Sequence, residues 1–164
     1  MVPYYSKMLH DSWLGAAVAG GIPWLSPTFA ILHFFGMVLL IGSAATVDLR
    51  LLGLAKALPL GPLQKLVPWG VLGFVINLVS GIGLYSGNPG QFQNRAFAAK
   101  MAFVVFAGLN TILFYTTGLA SQVNTVAAEQ DAPLSARFVA ALSLFLWVGV
   151  IYCGRMLPFF GTPF

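Results

Sequence analysis

The sequence predicts an all-α integral membrane protein, a four-transmembrane-helix bundle with an N-terminal interfacial amphipathic helix. Hydrophobic residues make up 59% of the 164 residues and charged residues only 7%, whereas roughly a quarter of an ordinary soluble domain is charged. Four apolar stretches of about twenty residues are each long enough to cross a hydrocarbon core of roughly 30 Å. A chain of this length therefore holds one membrane domain with short loops.

The first predicted element is the interfacial helix, at residues 4–20. Tyr5 and Trp13 fall on one side of it at helical spacing, and Lys7 and Asp11 fall on the other side. A helix with this pattern lies in the plane of the membrane surface, with its apolar side toward the acyl chains.

The four spans follow at about residues 28–47, 67–86, 96–118 and 137–157. Each is almost free of charge, and the connections between them are rich in proline, glycine and charged residues. Small residues on the second span let another helix backbone approach closely. These small faces and the short chain favour a homo-oligomer, a dimer or a trimer.

The distribution of lysine and arginine predicts the orientation of the bundle. The connection between the first two spans holds Arg50, Lys56 and Lys65, and Arg137 begins the fourth span on the same side. By the positive-inside rule this side is cytoplasmic, so we expect a multi-pass protein of the bacterial inner membrane with both termini periplasmic. The net charge of +4 includes no basic run, which argues against nucleic-acid binding and leaves the lipid bilayer as the expected partner.

His33 is the candidate functional residue of the first span. A histidine inside a membrane span gives up hydration and needs a partner, so it marks a candidate site. In an up-and-down bundle the same end of the molecule also holds Lys100, Arg155, Tyr85 and Arg95. An imidazole, a phenol and three cations therefore share one side of the membrane.

This combination predicts a haem b site. Membrane haem takes an axial ligand, usually histidine, inside a four-helix core, and its propionates need cations near the membrane edge. We expect His33 to be the metal ligand, with Lys100, Arg155 and Arg95 near the propionates. The function would be electron transfer, which needs a redox partner, or haem sensing.

The second axial ligand is left open by the sequence. The chain has only two histidines, and the other, His10, falls on the polar side of the surface helix. The iron would be five-coordinate on His33, would take Met37 or Lys100 as its sixth ligand, or would be shared by His33 of two subunits.

Two other interpretations of the same residues stay open. In the first, Lys100 and Arg155 reach lipid phosphates and His33 is a neutral imidazole bonded to a backbone carbonyl or to Tyr85, as in a non-catalytic subunit of a membrane complex. In the second, the site handles copper, because thioether and thiolate ligands suit Cu(I) and His33 is accompanied by Met37, Met101, Cys153 and Met156.

The opposite end of the bundle holds Asp48 and Arg50. Residues two apart on a helix do not face each other, so each is expected to pair with another span, a loop or lipid headgroups as a structural anchor. The sequence contains no nucleophile triad, P-loop or dinucleotide fingerprint, and it does not identify an enzyme.

Several motifs together resemble a family of small bacterial four-span inner-membrane proteins of unknown function: WLSP, LHFFG, DLRLLGL, PWG, SGIGLY and NRAFAAKM. The resemblance covers residues 24–110, and DLRLLGL with the upstream histidine is its most specific part. That family is distantly similar to copper-resistance D type membrane proteins and to four-helix b-type cytochromes. The resemblance implies roles for six residues: His33, Asp48, Arg50, Trp69, Lys100 and Asn110.

Overall fold

The computed structural model describes residues 8, 10–88, 90 and 94–160, and within them the chain is helical with no strand. The helices are α1 (Trp13–Ala16), α2 (Leu25–Leu51), α3 (Leu60–Leu63), α4 (Val67–Gly87), α5 (Arg95–Thr116), α6 (Leu119–Asn124) and α7 (Leu134–Met156). Four are long and apolar enough to cross a membrane: α2, α4 with the turns that lead into it, α5 and α7. The prediction of an all-α chain with four such helices is confirmed.

The helix ends differ from the predicted spans by a few residues. The predicted third span reaches residue 118, whereas α5 ends at Thr116. The reason is Gly118, whose φ of +75° is a left-handed conformation that a helix cannot continue through. The first span is longer than predicted, because α2 keeps its helical hydrogen bonds from Leu25 to Leu51.

The predicted interfacial helix lies partly outside the described residues, which omit 1–7 and 9. Its described part is the short α1, followed by a π-helical turn at Ala17–Gly21. Gly20 has a φ of +139°, so the segment bends there. A Cβ on Gly87 would lie 2.6 Å from Val18, which places this segment against the last turn of α4. Its position at a membrane surface stays a prediction.

The four long helices form two tightly packed pairs. In the first pair, α2 and α4 meet at Gly36 and Gly73, where a Cβ on Gly73 would lie 2.5 Å from the Leu40 nitrogen and 2.7 Å from the Gly36 oxygen. In the second pair, the Phe103 ring of α5 lies on Gly149 of α7. The pairs are joined through α2 and α7.

The two ends of the bundle carry different groups. We call the end where α2 and α5 finish the Arg50 end, and the end where α5 begins the Lys100 end. At the Arg50 end, Leu51, Leu60 and Val123 are fully buried in one apolar cluster. Exposed Asp131 pairs there with Lys56 at 2.8 Å and with Arg137, and the hydrogen bond from Lys56 is the main reason that the pKa of Asp131 lies below its usual value.

Candidate functional site

His33 lies in α2 with its ring against α4. Its Nδ1 is 3.0 Å from the hydroxyl oxygen of Ser80, and that hydroxyl donates its proton to the Ile76 carbonyl at 2.6 Å. A hydroxyl has only one proton to donate. The Ser80 oxygen therefore accepts from His33, which puts the ring proton on Nδ1 and the lone pair on Nε2.

The approach of α4 to the imidazole depends on small residues. Ser80 is 1% exposed, and a Cβ on the neighbouring Gly81 would lie 3.4 Å from His33 Cε1. The backbone of Asn77 is a second hydrogen-bond partner of His33. Sequence reasoning expects a backbone carbonyl or Tyr85 as the partner. The backbone bond to Asn77 agrees with the first of these, and Ser80 is a further partner that the sequence does not indicate. The sequence marks Ser80 only as a small polar residue in an apolar span.

The candidate cations share the Lys100 end but differ in exposure. Lys100 is half-buried, and its Cδ, Cε and Nζ each lie 3.8 Å from the place of a Cβ on Gly154 of α7. Arg95 and Arg155 are exposed. Within the described ranges, none of the three has an ion pair or a side-chain hydrogen bond. They are therefore available to an anionic group at this end.

Tyr85 and Met37 lie near the same end of α4 and α2. The Tyr85 ring is stacked on Phe97 with centroids 5.9 Å apart and an interplanar angle of 20°, so it ties α4 to α5. Met37 is half-buried one turn after His33, which puts both side chains on one face of α2.

The copper interpretation depends on methionine ligands. In the part of the chain that the structure describes, no group of three or more His, Cys, Asp or Glu side chains is placed to hold a metal ion. Cys153 is a half-buried free thiol of α7. A copper site would have to combine thioethers with His33 or with this thiol.

Arg50 is almost completely buried, at 1% exposure, and its partners are backbone carbonyls. Its Nε donates to Leu58 at 2.5 Å, and its terminal nitrogens donate to Ala127 at 3.3 Å and to Gln130 at 3.3 and 3.4 Å. The guanidinium therefore holds two loops onto the end of α2, as expected of a structural anchor.

Asp48 has a different role from Arg50, although both belong to the DLRLLGL motif. It is 8% exposed and lines a cavity of about 380 Å³ between the four long helices. Its Oδ2 has no hydrogen-bond partner among the described residues. The hydrogen-bond partner of the carboxyl group is Ser143, whereas the Arg50 guanidinium donates to loop carbonyls.

Trp69 and Asn110, which the resemblance also implicates, lie at the same end. Asn110 is buried, and its side-chain nitrogen donates to the Val139 carbonyl at 3.0 Å, so it joins α5 to α7. Trp69 is 55% exposed in the first turn of α4. The six residues are thus divided between the two ends of the bundle and do not form one site.

Comparison with protein-family models, with curated proteins and with solved structures found no match to this chain.

Proposed function

We propose that this protein is an integral membrane protein that binds haem b through His33, in electron transfer or haem sensing. One observation carries the proposal. The hydrogen bond from Nδ1 to Ser80 holds the ring, and with the proton on Nδ1 the lone pair is on Nε2. Histidines that bind metals in proteins usually have this arrangement: one ring nitrogen binds the metal, and the other donates a hydrogen bond to a fixed partner.

The surrounding residues suit an anionic, flat cofactor. Half-buried Lys100 and exposed Arg95 and Arg155 would hold the propionates, because all three lie at one end without competing partners in the described chain. Gly81 lets the α4 backbone approach the imidazole closely. Bound haem would supply reversible one-electron chemistry at the iron.

Met37 is a poor sixth ligand within one chain. It lies one turn from His33 on the same face of α2, so within one chain it could not hold a group from the side opposite to His33. We therefore favour five-coordinate iron or a haem shared by His33 of two subunits. The shared haem agrees with a homo-oligomer, a dimer or trimer packed through exposed apolar helix faces.

The test is the visible absorption spectrum of the detergent-purified protein before and after dithionite, with a pyridine haemochrome assay. We expect a Soret band that shifts on reduction. His33→Ala should lose the haem. His10→Ala is the matched control and should keep it, because His10 lies in the N-terminal segment, outside the four long helices. Ser80→Ala keeps the imidazole but loses its partner, so we expect roughly 10- to 100-fold weaker haem affinity.

Haem bound as well by His33→Ala as by the parent chain would refute the assignment. A flat spectrum from protein made with ample haem would also refute it, and would favour a non-catalytic subunit of a membrane complex. Elemental analysis of that colourless sample would then distinguish the two alternatives, because only a copper-handling protein would contain copper.

We also propose that the chain lies in the bacterial inner membrane with the Arg50 end cytoplasmic and both termini periplasmic. The support is the positive-inside rule. The connection between α2 and α4 carries exposed Lys65 and half-exposed Lys56. The haem site would then lie toward the periplasmic side, where a redox partner would meet it.

A further inference from the structure

The cavity at the Arg50 end is large enough for a small molecule. Its volume of about 380 Å³ falls within the range of roughly 300 to 1,000 Å³ that is typical of ligand pockets. All four long helices contribute to its wall, which is mostly apolar; Leu40, Val71 and Val104 are examples. It does not include His33, which lies roughly 22 Å before Asp48 along α2 at 1.5 Å per residue.

Asp48 supplies an unused acceptor in this cavity. The residue is more than nine-tenths buried, and its Oδ2 is buried without a partner among the described residues. The Ser143 hydroxyl of α7 donates a hydrogen bond to the carboxyl group. A buried carboxylate oxygen is costly unless a donor or a cation meets it, so the site favours a ligand that brings one.

No lysine, arginine or histidine is among the described residues that line the cavity, and Arg50 directs its guanidinium to the loop carbonyls. The Asp48 carboxyl group therefore has no counter-charge among the described residues that line the cavity. Four aromatic rings also line the cavity: Phe74, Phe114, Tyr115 and Trp147. The faces of such rings attract organic cations.

We propose that this cavity binds a hydrophobic organic cation, whose charge pairs with Asp48 and whose apolar body lies among the aromatic and aliphatic side chains. A carboxylate without a counter-charge selects the sign of the ligand, and the apolar wall selects its hydrophobic character. This site does not depend on the haem proposal, because it uses other residues at the other end of the bundle.

The test uses two ions of nearly equal shape and opposite charge, tetraphenylphosphonium and tetraphenylborate. Equilibrium dialysis of the full chain in detergent, at neutral pH, measures the binding of each. We expect saturable binding of the phosphonium and none of the borate beyond that of empty micelles. Asp48→Asn should bind the phosphonium at least about tenfold more weakly, because it removes the charge from a buried pair.

A second variant tests the cavity without changing its charge. Gly108 lines the cavity, and a Cβ there would meet nothing within 4 Å, so Gly108→Phe should fill the space and reduce binding. Gly42→Phe is the matched control, because Gly42 also has open surroundings but does not line the cavity. Asp131→Asn removes an exposed acid and should leave binding unchanged.

Equal binding of the phosphonium and the borate would overturn the proposal, as would unchanged phosphonium binding in both Asp48→Asn and Gly108→Phe. Size-exclusion profiles and circular dichroism establish that each variant is folded. If Asp48→Asn does not fold, the test is the comparison of Gly108→Phe with Gly42→Phe. Equal phosphonium binding by these two variants would refute the site.

Discussion

A buried charge can be satisfied by backbone carbonyls alone, and Arg50 is the example in this chain. Its guanidinium has no carboxylate partner among the described residues, and its bonds to Leu58, Ala127 and Gln130 fix two loops. The sequence predicts an anchor here, because an arginine close to a membrane span needs partners. It does not predict which carbonyls serve, since residues 127 and 130 are far from residue 50 in the chain.

We expect Arg50→Met to destabilise the protein by at least about 2 kcal/mol, because each buried carbonyl left without a donor costs roughly 1–3 kcal/mol. The methionine keeps much of the apolar stem, so the loss reports on the hydrogen bonds. Thermal unfolding in detergent, followed by tryptophan fluorescence, measures the change.

Arg155→Met is the control for that experiment. Arg155 is exposed and has no side-chain bond within the described residues, so its replacement should change stability by less than about 0.5 kcal/mol. Equal melting temperatures for the two variants would contradict the role assigned to Arg50.

Among the helices, α2 ends in a motif that accounts for the glycine of DLRLLGL. The Gly53 nitrogen donates to the Arg50 carbonyl at 3.1 Å and the Leu54 nitrogen to the Leu49 carbonyl at 3.0 Å, which is the Schellman pattern. Gly53 has a φ of +99°, a conformation that residues other than glycine rarely adopt. The motif therefore encodes a helix end, and its aspartate and arginine point to different surroundings.

The close packing of α2 on α4 depends on Gly73. In Gly73→Ala the new methyl group would lie 2.5 Å from the Leu40 nitrogen and 2.7 Å from the Gly36 oxygen. Both are backbone atoms, so the helices must separate, and overpacking of this kind costs roughly 1–3 kcal/mol. We expect a lower melting temperature in the same fluorescence assay, and weaker haem binding if His33 loses Ser80.

Gly42→Ala is the matched control for Gly73→Ala. A Cβ on Gly42 meets nothing within 4 Å, and alanine favours a helix by about 1 kcal/mol over glycine, so this variant should be no less stable than the parent chain. A melting temperature for Gly73→Ala at or above that of Gly42→Ala would show that the helices are not in close contact at Gly73.

For the whole molecule, the sequence predicts the spans well and the cavity not at all. Apolar runs of about twenty residues identify membrane helices because each is a local property of the chain. The cavity instead arises from how the pair α2 and α4 is set against the pair α5 and α7, which depends on side chains distant in sequence. The sequence does not predict the pairing of His33 with Ser80 either, because these two residues are also distant in the chain.

The orientation of the bundle decides which compartment each candidate site faces. The positive-inside rule predicts that Lys65 faces the cytoplasm and that Asn88, at the other end of α4, faces the periplasm. In a Cys153→Ala background, Asn88→Cys should react in whole cells with a maleimide that does not cross the inner membrane. Lys65→Cys should react only after the inner membrane is permeabilised.

The reverse labelling pattern would place Asp48 toward the periplasm and His33 toward the cytoplasm. The residues of each site would be unchanged, because both sites depend on contacts within the bundle. What would change is the compartment of each site. A redox partner would then be sought in the cytoplasm, and the cavity at Asp48 would lie nearer the periplasmic leaflet. Labelling of both cysteines in whole cells would contradict the four-span topology itself, since α4 would not separate residues 65 and 88 by a membrane.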